Sequence, residues 1–169
     1  MMKDLGHVAL QTDFNCLHCH NFVSAGVILS GVNNRNHCPY CLWSRHLDWQ
    51  AAGDRLSACK AGMRPIGLTV KRTRKKYGSV GQGELMLIHH CTDCGKFAIN
   101  RIAADDDGKA AMEIFEDSLL LGPDIQLALD QSGIQVLRQD DRTVIEVQLF
   151  GWCERADTRS HHPWLGYQS

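Results

Sequence analysis

Hydrophobic positions along this chain fall into short runs separated by polar turns, and their period changes once. Up to about residue 104 the apolar stretches are brief. Those at 22–29, 66–70, 83–90 and 96–102 read as strands, because each is short and bounded by turn residues. Residues 41–50 differ: Leu42, His46 and Trp49 recur every three to four positions, which predicts a short helix with one apolar face. Beyond the acidic run Asp105-Asp106-Asp107-Gly108 the pattern turns helical. Met112, Ile114, Phe115, Leu119 and Leu120 mark one helix, ended by Gly122-Pro123, and a second helix is expected over 124–131, closed by Ser132-Gly133. Ile134, Val136 and Leu137, then the polar stretch 139–142, then the apolar run 144–150 read as a β-hairpin.

These elements predict an α+β fold in three parts. A core of short strands and one short helix occupies 12–107, a helix-hairpin extension 108–153, and an irregular tail 154–169. No repeat appears at solenoid or propeller periods.

Composition changes this picture little. With 44% hydrophobic and 22% charged residues, the chain is of ordinary globular make-up, which excludes a wholly disordered polymer. Met1 to His7 contain no long apolar segment of the secretory kind, and no run is long enough to span a bilayer. The expected setting is therefore the cytoplasm, with no membrane partner.

Charge is more informative. The net charge of −1 hides a split: residues 1–104 carry 13 basic and 6 acidic side chains, +7, while residues 105–169 carry 5 and 13, −8.

Eight cysteines require a reason in a reducing compartment, where clustered cysteines more often hold metal than form disulfides. Cys16-Leu17-His18-Cys19 and Cys38-Pro39-Tyr40-Cys41 are two Cys-x-x-Cys pairs with 18 residues between them, a spacing read as a four-cysteine zinc site. Two thiolates on one tight turn reach an ion at about 2.3 Å, and two such turns complete a tetrahedron. With a helix following Cys41, the second pair would sit at a helix N-terminus, as in a treble clef, where the helix dipole favours thiolate.

A third pair, Cys91-Thr92-Asp93-Cys94, lies between two expected strands and has the form of a zinc-ribbon knuckle, with Gly95 suited to its turn. Cys59 is the expected third ligand of a second zinc site. The fourth is His89, on the same strand face as Cys91, or His46, on the apolar face of the expected helix. Two structural zinc ions are thus expected, and chelation is expected to unfold residues 12–104. Cys153 reads as a buried thiol, and His37, next to a ligand, as a residue that orients a thiolate through a hydrogen bond.

The stretch Arg35-Asn36-His37-Cys38-Pro39 resembles the name motif of the small, mostly bacterial RNHCP-domain family. Phe14-Asn15-Cys16-Leu17-His18-Cys19 is similar to the family's first knuckle. Cys41-Leu42-Trp43-Ser44-Arg45-His46-Leu47-Asp48 is similar to its helix. Gly53-Asp54-Arg55, Cys59, Met63 and Pro65-Ile66 resemble its middle. Ile88-His89-His90-Cys91-Thr92-Asp93-Cys94-Gly95 and Asn100-Arg101-Ile102-Ala103-Ala104-Asp105-Asp106 resemble its end. The likeness runs in order over about residues 12–107. One departure is His20-Asn21, where the family shows a glycine after the first knuckle; no ligand is lost. The resemblance implies a zinc-ribbon-like domain and no particular reaction.

For function the basic stretch is the leading signal. Between Arg55 and Gly83 there are eight Lys or Arg and no acidic residue. Lys71, Arg72, Arg74, Lys75 and Lys76, followed by Tyr77, lie between two strands and predict a loop that attracts phosphates, with an aromatic ring to stack on an unpaired base. The expected partner is RNA or a ribonucleoprotein, the C-terminal extension offering a further surface for protein. The alternative is a protein–protein adaptor without a nucleic-acid role.

Two enzymatic readings are weaker. Cys38-Pro39-Tyr40-Cys41 matches the glutaredoxin tetrapeptide, but another knuckle precedes it in place of a βαβ frame, and a zinc-bound thiol pair is not a free redox couple. Asn36-His37, His46 and Asp48 evoke a His-Asn-His nuclease, but a closed four-cysteine site leaves no coordination position for water. No catalytic residue is expected.

Overall fold

The computed structural model describes residues 13–51, 53–71 and 83–151. The fold is α+β, with short strands followed by helices, as the pattern predicts. A two-stranded ribbon, β1 (Phe14–Asn15) with β2 (Phe22–Val23), leads into one helical turn, α1 (Val27–Ser30). Then come β3 (Ser44–Arg45), β4 (Gly62–Lys71), β5 (Glu84–Cys91) and β6 (Phe97–Arg101), an antiparallel sheet in the order β3-β4-β5-β6. Helices α2 (Gly108–Ser118), α3 (Pro123–Gln131) and α4 (Arg142–Phe150) follow.

The β4–β5 hairpin is the spine. Leu68 pairs with Leu87 and Val70 with Leu85, and this face meets Ala111 and Phe115 of α2, Ile145 of α4, and Leu42. Apolar side chains from the ribbon half and from the C-terminal helices thus share one core. The register shifts between Pro65 and Gly67. A β-carbon at Gly67 would lie 3.1 Å from Ser118 Cβ, so glycine lets the end of α2 approach the sheet at this irregularity.

Three expected elements differ. The helix over 41–50 is absent: Cys41 ends a turn, Leu42 takes a left-handed φ of 59°, and the chain returns as β3. The second knuckle is therefore a ribbon knuckle, and the treble-clef arrangement is not present. The reason is tertiary, since Ser44 and Arg45 pair with Met63 and Gly62, and strand pairing outweighs a marginal helical spacing.

The strand expected over 22–29 stops at Val23, and α1 begins after Gly26. The hairpin expected over 134–150 is instead a 3-10 turn at Gln139–Asp141 running into α4. Its ends decide this. Arg138 N–H donates to Asp141 Oδ2 at 2.8 Å, and Gly151 closes the helix at φ 76°.

Candidate metal centres

The three Cys-x-x-Cys pairs form one device used three times. In each, the residue four after the first cysteine donates its N–H to that cysteine's carbonyl: His20 to Cys16 at 3.1 Å, Leu42 to Cys38 at 2.9 Å, and Gly95 to Cys91 at 3.2 Å. In each, the first cysteine's N–H donates to the carbonyl one residue further on, at Asn21, Trp43 and Lys96, all at 2.9 Å. The fourth-after residue is left-handed every time, with φ of 61° at His20, 59° at Leu42 and 71° at Gly95. This geometry turns both sulfurs to one side of each loop.

The first two knuckles face each other. Cys16 Sγ lies 3.6 Å from Cys41 Sγ, and Cys19 Sγ lies 3.6 Å from Cys38 Sγ. All four ligand atoms fall within 4.8 Å of one another. A tetrahedron with Zn–S bonds of about 2.3 Å has edges of about 3.8 Å, so the spacing fits a structural zinc ion. N–H groups of His18 and the Asn21 side chain donate to Cys16 and Cys19, each at 3.4 Å.

Burial pushes the Cys38 thiol up to about 11 and Cys41 higher still. Burial also opposes charge on Cys19, yet hydrogen bonds from Asn21 and the facing thiols draw it down to about 7. Without metal the four groups cannot all be thiolates at neutral pH; a divalent cation allows it.

The third knuckle collects its partners from two other segments. Cys59 Sγ lies 3.6 Å from Cys91 Sγ, and His46 Nδ1 lies 3.3 Å from Cys94 Sγ, the four ligand atoms again within 4.8 Å. Strand pairing delivers His46, whose N–H donates to the Ala61 carbonyl at 2.8 Å as β3 runs beside β4. Burial, then Lys96, holds this imidazole below its ordinary value, so it is neutral and can offer a lone pair. The set fits a second structural zinc, held by three sulfurs and one nitrogen.

His89, one of the two candidates for the eighth ligand, stands elsewhere. It is fully buried, its Nε2 meets the Leu42 carbonyl at 2.7 Å, and Asn100 Nδ2 lies 2.9 Å from its Nδ1. Burial drives its pKa down to about 3. Sharing a strand face with Cys91 does not bring it to the cluster, because its ring is held by the Leu42 carbonyl and the Asn100 side chain.

His37 likewise does not contact a thiolate. Its Nε2 lies 2.8 Å from Asp106 Oδ2, and Arg35 binds Asp105 at 2.7 Å and Asp106 at 3.1 Å. The acidic run read as a break between parts is thus a partner of the name motif. Asp107 continues it, donating its N–H to the Pro39 carbonyl and capping α2 with its side chain. The signal was legible: a basic and a titratable residue just before a metal ligand call for a carboxylate, and three follow β6.

Asp48 accepts N–H bonds from Gly53 and Arg55, and His46 belongs to the second cluster, so the residues of the nuclease reading hold structure and do not converge on an open metal. Of the expected phosphate-binding residues, Lys71 is exposed at the end of β4; Arg72, Arg74, Lys75, Lys76 and Tyr77 lie outside the described residues, as does Cys153. No helix among the described residues is long and apolar enough to cross a membrane.

The model of the RNHCP domain matches residues 11–112. No curated protein and no solved structure matches the chain.

Proposed function

The chain belongs to the RNHCP-domain family, and from that premise we propose that it is a structural-zinc binding module that contacts RNA through the basic segment beginning at Lys71. The observation that supports this reading is that β4 ends on the exposed Lys71, where the basic run begins. Strands β4 and β5 end at Lys71 and restart at Glu84, so the run Arg72, Arg74, Lys75, Lys76 and Tyr77 is the connection of the central hairpin. The two zinc clusters, closed by four protein ligands each, supply scaffold and no open position for chemistry. The family likeness itself names no reaction.

The test is fluorescence anisotropy of zinc-loaded protein with single-stranded RNA over a salt series. The affinity should fall as salt rises, each neutralised phosphate contributing about −0.7 to the logarithmic slope. Replacing Lys71, Arg72, Arg74, Lys75 and Lys76 by Glu should abolish binding. Failure to bind at low salt, or indifference to those replacements, rejects the reading.

A protein–protein adaptor is the second reading. One observation favours it: Phe22, Val27, Ile28 and Leu29 are exposed around α1, with Ile28 fully so. Such an apolar group of side chains is more typical of a contact surface than of a solvated turn. The same RNA experiment separates the two.

A further inference from the structure

Within Arg35-Asn36-His37-Cys38-Pro39, four residues have evident structural tasks. Arg35 and His37 hold Asp105 and Asp106, Cys38 is a metal ligand, and the Pro39 carbonyl accepts the Asp107 N–H. Asn36 is the exception. Its carbonyl accepts hydrogen bonds from Arg45 N–H and Ser44 Oγ, but its side-chain amide bonds to no described residue, although Asn36 is only 8% exposed. The amide atoms are themselves reached by solvent, so they are open to a ligand.

The amide has a cavity to serve. Asn36 borders two openings, one lined also by Arg35 and His37 and a second lined by neither. The second is a cavity of about 210 Å³ shared with Phe14, Leu17, His18, Trp43 and Arg45. That volume is below the roughly 300–1,000 Å³ of pockets for drug-sized ligands, so it suits a single ring system. The walls are aromatic and aliphatic. The His18 imidazole stacks on the Trp43 indole, with centroids 4.2 Å apart and planes 4° from parallel, so this wall already accommodates flat rings. Arg45 is exposed at the rim. The first zinc knuckle supplies Leu17 and His18 and so fixes one side of the slot.

We propose that this cavity is a nucleobase slot, in which an unpaired base packs against Phe14 and Trp43 while the Asn36 amide hydrogen-bonds its edge. An amide presents a donor and an acceptor side by side, which matches the edges of bases and gives preference among them. The slot rests on the RNA reading above and adds to it a separate site that reads base identity, where the basic segment reads only phosphate.

The experiment uses the zinc-loaded full chain and the four nucleoside 5′-monophosphates as probes, followed by NMR of side-chain amide and indole N–H groups. One nucleotide is expected to shift the Asn36 amide and Trp43 indole signals more than the others. Asn36→Ala and Asn36→Asp should each weaken its binding about tenfold, the second by converting the donor to an acceptor within the same shape. Zinc content and melting of each variant are measured alongside. If Asn36→Ala loses zinc, Asn36→Asp carries the comparison; if both do, the mapping on the unmodified protein decides. If no nucleotide moves the Asn36 amide, or all four do so equally and Asn36→Asp binds as tightly as the unmodified chain, the slot is rejected. That rejection leaves RNA binding through residues 71–76 standing, because the charge-reversal experiment reads it independently.

Discussion

At the scale of single residues, buried ionic chemistry decides more than the metal ligands alone. Asp106 is 1% exposed and receives Arg35, His37 and the Ala103 N–H, whereas Asp105 is 35% exposed and, among the described residues, meets only Arg35. Removing one member of a buried pair strands the other charge, at about 3–5 kcal/mol, while a half-exposed partner contributes about 1 kcal/mol or less. Asp106→Ala should therefore lower unfolding free energy in urea by about 3–5 kcal/mol, and Asp105→Ala by about 1 kcal/mol or less; equal effects would contradict the assignment. The histidines give a second contrast. His46→Ala should reduce bound zinc from two ions toward one per chain, measured by elemental analysis. His89→Ala should keep both ions and lower stability, since it removes a ring buried between Leu42 and Asn100. Six of the seven cysteines of the two clusters were legible because they fall in local Cys-x-x-Cys pairs, and Cys59 because a third pair needed a further sulfur. The choice between His46 and His89 was not, because it depends on β3 lying beside β4, a contact between residues 17–19 positions apart that no local pattern encodes.

At the scale of elements, the knuckle turn explains both what the sequence showed and what it concealed. Each turn needs a left-handed residue in its fifth position, and only the third has glycine there. A non-glycine residue in that conformation costs about 1–2 kcal/mol, while glycine loses about 0.5–1 kcal/mol through the freedom of its unfolded chain. His20→Gly is thus expected to be neutral to stabilising by about 1 kcal/mol, with no change in zinc content, as read from thermal melting. Leu42→Gly relieves the same backbone but deletes a fully buried core side chain, so it should destabilise by about 3 kcal/mol or more. The opposite signs test whether the turn or the packing governs each site. Leu42 also shows why the helix over 41–50 was misread: its apolar spacing comes from one residue serving the core, one serving a metal and one, Trp49, lying exposed under Lys96. Three unrelated environments produced a helical period. The α4 segment is the reverse case, a run rich in β-branched residues that is helical, with Ile145 in the core and Gly151 closing its C-terminus.

At the scale of the whole molecule, metal and hydrophobic core divide the labour. The ribbon half has a small apolar cluster, Cys16, Val23 and Cys38 with a few half-buried neighbours, of which several are themselves ligands. The sheet and helices hold the larger one, from Leu68 and Leu87 to Phe115 and Ile145. The break expected at residue 105 marks a change of pattern but not of packing, because α2 and α4 close the sheet. Zinc removal should therefore act unevenly. Once the thiolates of the first cluster lose their cation, burial protonates some and repulsion opposes the rest, and little else fixes residues 13–31. The β4–β5 hairpin under α2 keeps its apolar cover. Hydrogen exchange after chelation should show protection lost first across 13–46 and at the third knuckle, 91–95, and retained longest in 62–71, 84–90 and 108–118. The second cluster should empty before the first, since Cys94 is exposed and the buried His46 Nε2 has no hydrogen-bond partner to steady the ring. Loss of protection everywhere at once, with both ions released together, would instead show that the metals and the core fold as one cooperative unit.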